Sequence, residues 1–221
     1  MTVDTCAPLP AAPAEPTVAA RIAAGLQDPG YVVVDGWLPE ALVGDLAHTC
    51  RSLAVHGHLD VAGIGQGPLR VEDARYRRTD IRWIEPPLTG AESAWLDRCE
   101  SLRVGLNERL LLGLFDFESH YSVYPVGGFY RRHVDRFVTD DRRTVSCVLY
   151  LNDEWGPGDG GALRIFDNGD TRSPVLDVLP ERGRLVAFLS DRFPHEVLPT
   201  RRERFAIAGW FRRRPLGAPL V

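Results

Sequence analysis

The chain has 221 residues, enough for one well-buried domain and short for two. Its formal net charge of -4 gives no basic surplus for nucleic acid, and no apolar run approaches the roughly 20 residues a membrane helix needs. Cys6, Cys50, Cys99 and Cys147 are far apart and form no CxxC pair, which argues against a disulfide framework or a zinc site and leaves reduced thiols as the expectation.

Residues 1–16 are rich in Pro and Ala and read as a disordered tail ahead of a single domain at 17–221. The same stretch lacks the basic start and apolar core of a secretion signal, so a cytoplasmic location is expected. A short helix is predicted over 17–27, ended by the turn signal Asp28-Pro29-Gly30, and a β-rich run follows at 31–34. After Trp37-Leu38-Pro39, the apolar residues Leu42, Leu46, Cys50 and Leu53 step by three or four, as one helical face requires. Residues 56–78 carry several glycines and many charges and read as an exposed, mobile loop. A strand is predicted over 79–84. A second helical face runs through Leu96, Cys99, Leu102, Leu106 and Leu110.

From Asp116 onward the pattern changes to short β-rich runs broken by Gly, Pro and Asp: 118–124, 128–134, 144–151, 161–166, 175–179, 184–189, 195–198 and 204–212. Helices first and strands afterwards argue for an α+β fold. The expected architecture is a double-stranded β-helix (jelly roll) core buttressed by the N-terminal helices.

One of these runs ends in His133-Val134-Asp135. In a strand, residues two apart point to the same face, so an imidazole and a carboxylate can be aimed at one point. A further histidine from another strand would complete the facial triad of two histidines and one carboxylate that holds non-haem Fe(II) and leaves coordination positions open. Of the six histidines, His195 sits between two β-rich runs; His48 lies in a predicted helix, His56 and His58 lie in the loop, and nothing around His120 suggests a ligand. All 26 basic residues are arginine, so an arginine counts only by its position. Arg204 begins RFAIAGWF, where Arg204, Ala206, Ala208 and Trp210 share one face. A guanidinium turned inward there needs an anionic partner, and its fork suits a carboxylate.

Taken together, YPVGGFYRRHVD, TVSCVLYLNDEW, GGALRIF and DRFPHEVLPTRRERFAIAGWF resemble the prolyl hydroxylase branch of the Fe(II)- and 2-oxoglutarate-dependent oxygenases, over about residues 78–212. The resemblance implies that His133, Asp135 and His195 are the iron ligands. It implies that Arg204 and Tyr150 hold the distal carboxylate of 2-oxoglutarate, and that Tyr124 lines the same pocket. Trp210 would lie near the substrate proline, and Arg143 and Asp80 would form a charged pair tying the substrate loop to the strand core. The implied cofactors are Fe(II), 2-oxoglutarate and O2, with ascorbate as an accessory, and the implied reaction releases succinate and CO2. Thr79 stands where the family commonly has glycine, and the cysteine-rich zinc module of the animal oxygen sensors is absent, so the substrate is left open.

The partner implied by the resemblance is a protein or peptide containing proline. A free amino acid or small peptide is the alternative substrate, and a metal-binding cupin-like module without catalysis is the alternative of another class. The arginine surplus near 70–78 suits a partner with acidic residues near its proline.

Overall fold

The computed structural model describes residues 17–63, 71–136 and 142–214. The tail expected to be disordered at 1–16 lies outside the described residues. Three α-helices lie in the first half of the chain, interleaved with four short strands: α1 (Val18–Gln27), α2 (Glu40–Val55) and α3 (Gly90–Leu110). Thr17 caps α1 by accepting the Ala20 amide on its hydroxyl. Thr89 and Glu92 form a reciprocal capping box at the start of α3, each side chain taking the other's backbone N–H. No helix among the described residues is long and apolar enough to cross a membrane.

Two antiparallel sheets make up the rest. The larger has the order β1 (Tyr31–Val34), β10 (Leu185–Leu189), β7 (Arg143–Tyr150), β12 (Arg204–Arg213), β5 (Leu114–Tyr124), β4 (Asp80–Trp83) and β2 (Asp60–Val61). The smaller runs β3 (Arg77–Arg78), β6 (Phe129–His133), β11 (His195–Val197), β8 (Leu163–Asp167) and β9 (Asp170–Val178).

The alternation of side chains along the central strands decides what each face does. In β7, Val145, Cys147 and Leu149 join the cluster that the helices cover, together with Trp95, Cys99, Leu102 and Leu106 of α3. Tyr150 faces the other way, into a second cluster with Leu163, Ile165 and Val197 of the smaller sheet. In β12, Phe205, Ile207 and Phe211 belong to the helix side and Ala206 to the inner side. One face of the larger sheet therefore anchors the helices, and the other is left to form a site between the sheets.

The segment 56–78 departs from the loop expected there. Residues 64–70 lie outside the described residues, but both flanks are paired. β2 adds to the larger sheet beside β4, and β3 adds to the smaller sheet beside β6. The backbone hydrogen bonds of these flanks are met by strand pairing, and Ala62 is buried. β5 also begins earlier than its sequence suggests, because Leu114 is buried under α3 and its amide and carbonyl are held by Asn107.

Candidate active site

His133 is the last residue of β6 and His195 the first of β11, and the antiparallel register sets them directly opposite each other. Their ring centroids are 4.3 Å apart. Asp135 lies past the end of β6, in a bend, so the turn rather than the strand pleat aims its carboxylate. One oxygen lies 3.6 Å from Nε2 of His133 and the other 3.6 Å from Nε2 of His195. The three ligand atoms all fall within 4.8 Å of one another.

The surroundings fix the direction of every lone pair. His133 Nδ1 lies 2.8 Å from the carbonyl of Arg131, and His195 Nδ1 lies 3.0 Å from that of Phe193. A carbonyl only accepts, so both rings carry a proton on Nδ1 and turn Nε2 toward Asp135 as the atom left to ligate. Burial pushes the His195 pKa down to about 4, against the pull of Asp135, so this ring is neutral near pH 7. Burial alone would raise the pKa of Asp135, but the two imidazoles more than offset it and the group stays a carboxylate. Ser146 donates to its Oδ2 at 2.7 Å, and the Ser146 hydroxyl is itself 2.8 Å from that of Ser190. Two imidazole nitrogens and one carboxylate thus converge on one point, which is the donor set of a divalent cation site.

A cavity of about 570 Å³ opens beside this cluster. At its floor is Arg204, only 1% exposed. Its Nε donates to the Gly161 carbonyl at 2.9 Å. Gly161 has φ +68, and a Cβ there would meet Arg204 Cδ at 3.1 Å, so glycine is what lets the arginine lie flat in this position. The guanidinium carbon lies 4.8 Å from the Tyr124 ring and 5.1 Å from the Tyr150 ring. No carboxylate among the described residues pairs with it. Among the described residues the buried Tyr150 hydroxyl meets no acceptor, only the neighbouring Arg204, and burial pushes its pKa up to about 12, so it keeps its proton and stays a donor. A buried cation without an anion beside a buried donor without an acceptor fits a carboxylate supplied from outside.

Trp210 lines the cavity, with the Arg143 guanidinium 3.6 Å over its ring. The expected pair between Arg143 and Asp80 does not form. Arg143 pairs instead with Glu118 at 2.9 Å. Strand register gives the reason: Arg143 stands opposite Arg212, at the end of β12 that pairs with Asp116 of β5, whereas Asp80 stands opposite Val123. The two ends are seven residues apart along β5, about 23 Å at roughly 3.3 Å per residue. Burial raises the Asp80 pKa, and no cation among the described residues counters it.

His120 was dismissed as a ligand from sequence, and it is not part of the triad. It nevertheless lines the cavity between Trp83, 5.0 Å away, and Trp210, 5.4 Å away. Glu118, His120, Ser122 and Tyr124 alternate along β5 and all line the cavity, as the period of two in a strand dictates. Arg77 and Tyr130 line it as well.

A two-histidine, one-carboxylate cluster opening on a pocket inside a jelly roll defines a non-haem, metal-dependent oxygenase. The profile of the 2OG-Fe(II) oxygenase superfamily matches residues 119–212. Human prolyl hydroxylase EGLN3 is 32% identical over 200 residues, spanning 84% of this chain and 80% of the relative. A Pseudomonas putida prolyl-4-hydroxylase superposes with a TM-score of 0.80 at 44% identity, over 89% of this chain and 100% of the other. A Trichoplax adhaerens prolyl hydroxylase, solved with a peptide fragment of a hypoxia-inducible factor, superposes with a TM-score of 0.79 at 26% identity, over 91% and 93%. The chain belongs to the prolyl hydroxylase family of the 2OG-Fe(II) oxygenase superfamily, whose cofactors are Fe(II), 2-oxoglutarate and O2.

Proposed function

We propose that this enzyme hydroxylates a prolyl residue in a protein or peptide substrate, with residues 17–221 as one catalytic unit. In this reading His133 and His195 hold Fe(II) through Nε2 and Asp135 through a carboxylate oxygen. Arg204 and Tyr150 hold the distal carboxylate of 2-oxoglutarate, with Tyr124 packed against the guanidinium. The observation that carries the reading is the join between the two: one cavity is lined by the triad and by a buried arginine that pairs with no anion among the described residues.

Bound iron and 2-oxoglutarate supply the oxidising chemistry, in which O2 is consumed, succinate and CO2 leave, and one oxygen enters the substrate. The chain orients and encloses. The carbonyls of Arg131 and Phe193 and the hydroxyl of Ser146 lock the three ligand side chains before any metal arrives. Arg204 supplies the positive charge that offsets an incoming dianion, and the Tyr150 hydroxyl donates to the same carboxylate. Trp83, His120 and Trp210 form an aromatic wall of the cavity that the triad also lines. The likeness to prolyl hydroxylases supports proline as the target, and ascorbate as accessory reductant and a cytoplasmic location rest on the sequence reading alone.

The test is a mass-spectrometric screen of proline-containing peptides and free amino acids with purified enzyme, Fe(II) and 2-oxoglutarate, with succinate as a second readout. A gain of one oxygen on a peptide proline is the expected result. Oxygen gained only by a free amino acid would move the substrate class to the small-molecule alternative. A cation bound with no response to 2-oxoglutarate would leave a metal-binding module.

A further inference from the structure

Three guanidinium groups line the cavity, from Arg77, Arg143 and Arg204. Two of them are accounted for. Arg143 is neutralised by Glu118, whose second oxygen is taken by Arg212 at 2.6 Å. Arg204 is the group assigned above to the cosubstrate. Arg77 is different. It is half-buried, and no carboxylate among the described residues pairs with it. Its Nε is buried without a partner, and its Nη1 reaches only the Gly63 carbonyl at a long 3.4 Å.

Its position is set by strand pairing. Arg77 stands opposite Tyr130 in the pairing of β3 with β6, and its guanidinium carbon lies 4.5 Å from the Tyr130 ring. The same ring stacks on His133 with centroids 3.6 Å apart. Arg77 and a triad histidine therefore share one aromatic neighbour. The neighbouring Arg75 is turned away and closed on Asp73 at 3.0 Å. The field of Arg77 is felt across the cavity: burial is the main cause that pushes the His120 pKa down to about 3, and the charge of Arg77 comes next.

We propose that Arg77 receives a carboxylate of the substrate, and that this anion selects which prolines the enzyme accepts. The proposal rests on the hydroxylase reading above and deepens it. A half-buried guanidinium gains from a partner that can take both arms of its fork, and a carboxylate does so. The anion could be an acidic side chain beside the target proline or the α-carboxylate of a free amino acid. Both place the charge at the mouth and the reacting carbon beside the triad.

The experiment uses short capped peptides with one central proline and a single Asp, Asn or Lys walked through the flanking positions, together with L-proline and L-prolinamide. Binding is read from the fluorescence of the cavity tryptophans in enzyme loaded with Mn(II) and 2-oxoglutarate. Hydroxylation is read separately by mass with Fe(II). The expected result is one flanking position at which Asp binds roughly tenfold tighter than Asn. That preference disappears in Arg77→Gln, is partly kept in Arg77→Lys, and turns toward the Lys peptide in Arg77→Glu. An Arg77-dependent preference for L-proline over L-prolinamide, with no effect among peptides, would support the receptor and overturn the protein substrate. Charge preference without any mass gain would support the receptor and overturn the hydroxylase reading. Equal binding of acidic and neutral probes by the unaltered enzyme overturns the proposal. So does an Arg77→Gln variant that weakens every probe alike, or one that raises the 2-oxoglutarate requirement as loss of Arg204 would.

Discussion

Asn152 holds both backbone polar groups of Phe205. Its carbonyl accepts the Phe205 amide at 2.6 Å, and its amide donates to the Phe205 carbonyl at 3.0 Å and to that of Pro180 at 2.7 Å. The clip acts one residue beyond Arg204, so it sets where β12 starts and where the buried guanidinium lies. Asn152→Ala takes the partner from the Phe205 amide and from the Pro180 carbonyl, at about 1–3 kcal/mol for each group left without one, while the Phe205 carbonyl keeps the Leu151 amide at 3.1 Å. The expected outcome is a loss of about 2 kcal/mol or more in urea unfolding, with a raised KM for 2-oxoglutarate. Lost stability with an unchanged KM would separate the clip from the cosubstrate.

Three side chains already point at one centre, and metal binding is expected to depend on all of them. His133→Ala, Asp135→Ala and His195→Ala are each expected to abolish turnover while the far-ultraviolet circular dichroism stays that of the unaltered enzyme. Ser146→Ala keeps the ligands but removes the hydroxyl that orients Asp135. Loss of such a supporting hydrogen bond weakens metal binding by roughly 10- to 100-fold. Titration with Mn(II) followed by calorimetry measures both effects, and equal affinity in Ser146→Ala and the parent would remove the orienting role.

Arg204→Ala is expected to raise the 2-oxoglutarate requirement steeply, by about 2–5 kcal/mol of lost binding, as for one partner of a buried charge pair. Tyr150→Phe removes one hydrogen bond to a charged acceptor, at about 1.5–3 kcal/mol. Binding of 2-oxoglutarate to the Mn(II) form, measured without turnover, ranks the two variants. Unchanged affinity in Arg204→Ala would remove the clamp.

His120 makes the fold sensitive to acid. Its ring is held neutral, with a pKa of about 3 against an ordinary 6.5, chiefly because it is buried. Below pH 6.5 the unfolded chain takes up a proton that the folded chain refuses, so stability falls as pH drops from about 6.5 toward 3. The slope for one such histidine approaches about 1.4 kcal/mol per pH unit within that window. His120→Met abolishes this contribution, so its unfolding free energy is expected to fall less steeply with acid. Parallel pH profiles for the two proteins would disprove it.

Much of this was legible in the residues because β5, β7 and β12 alternate cleanly. Arg204 and Trp210 could be placed on one face by counting in twos, Tyr150 was marked only by the family resemblance, and His133 and His195 stood at strand ends. Other parts were not legible for physical reasons. The partner of Arg143 depends on how two distant strands register against β5, and no local pattern encodes that. The carboxylate of Asp135 is aimed by a bend, which the H-x-D spacing could not distinguish from a strand. The flanks of 56–78 carry weak β signal, and their strands form only because two sheet edges are available to receive them. His120 was passed over because it was weighed as a ligand, whereas its place in the wall follows from the alternation of its own strand.

The way Asp135 is held has a consequence for the lifetime of the chain. His133 and His195 belong to the smaller sheet, while Asp135 is bonded to Ser146 of the larger one. A cation seated between them is a rivet through both layers, fixed where the sandwich gapes around its cavity. Without the rivet, three electron-rich atoms crowd one another at that gap. Limited proteolysis of the purified enzyme should therefore slow when a divalent cation is added, and slow less in Asp135→Ala.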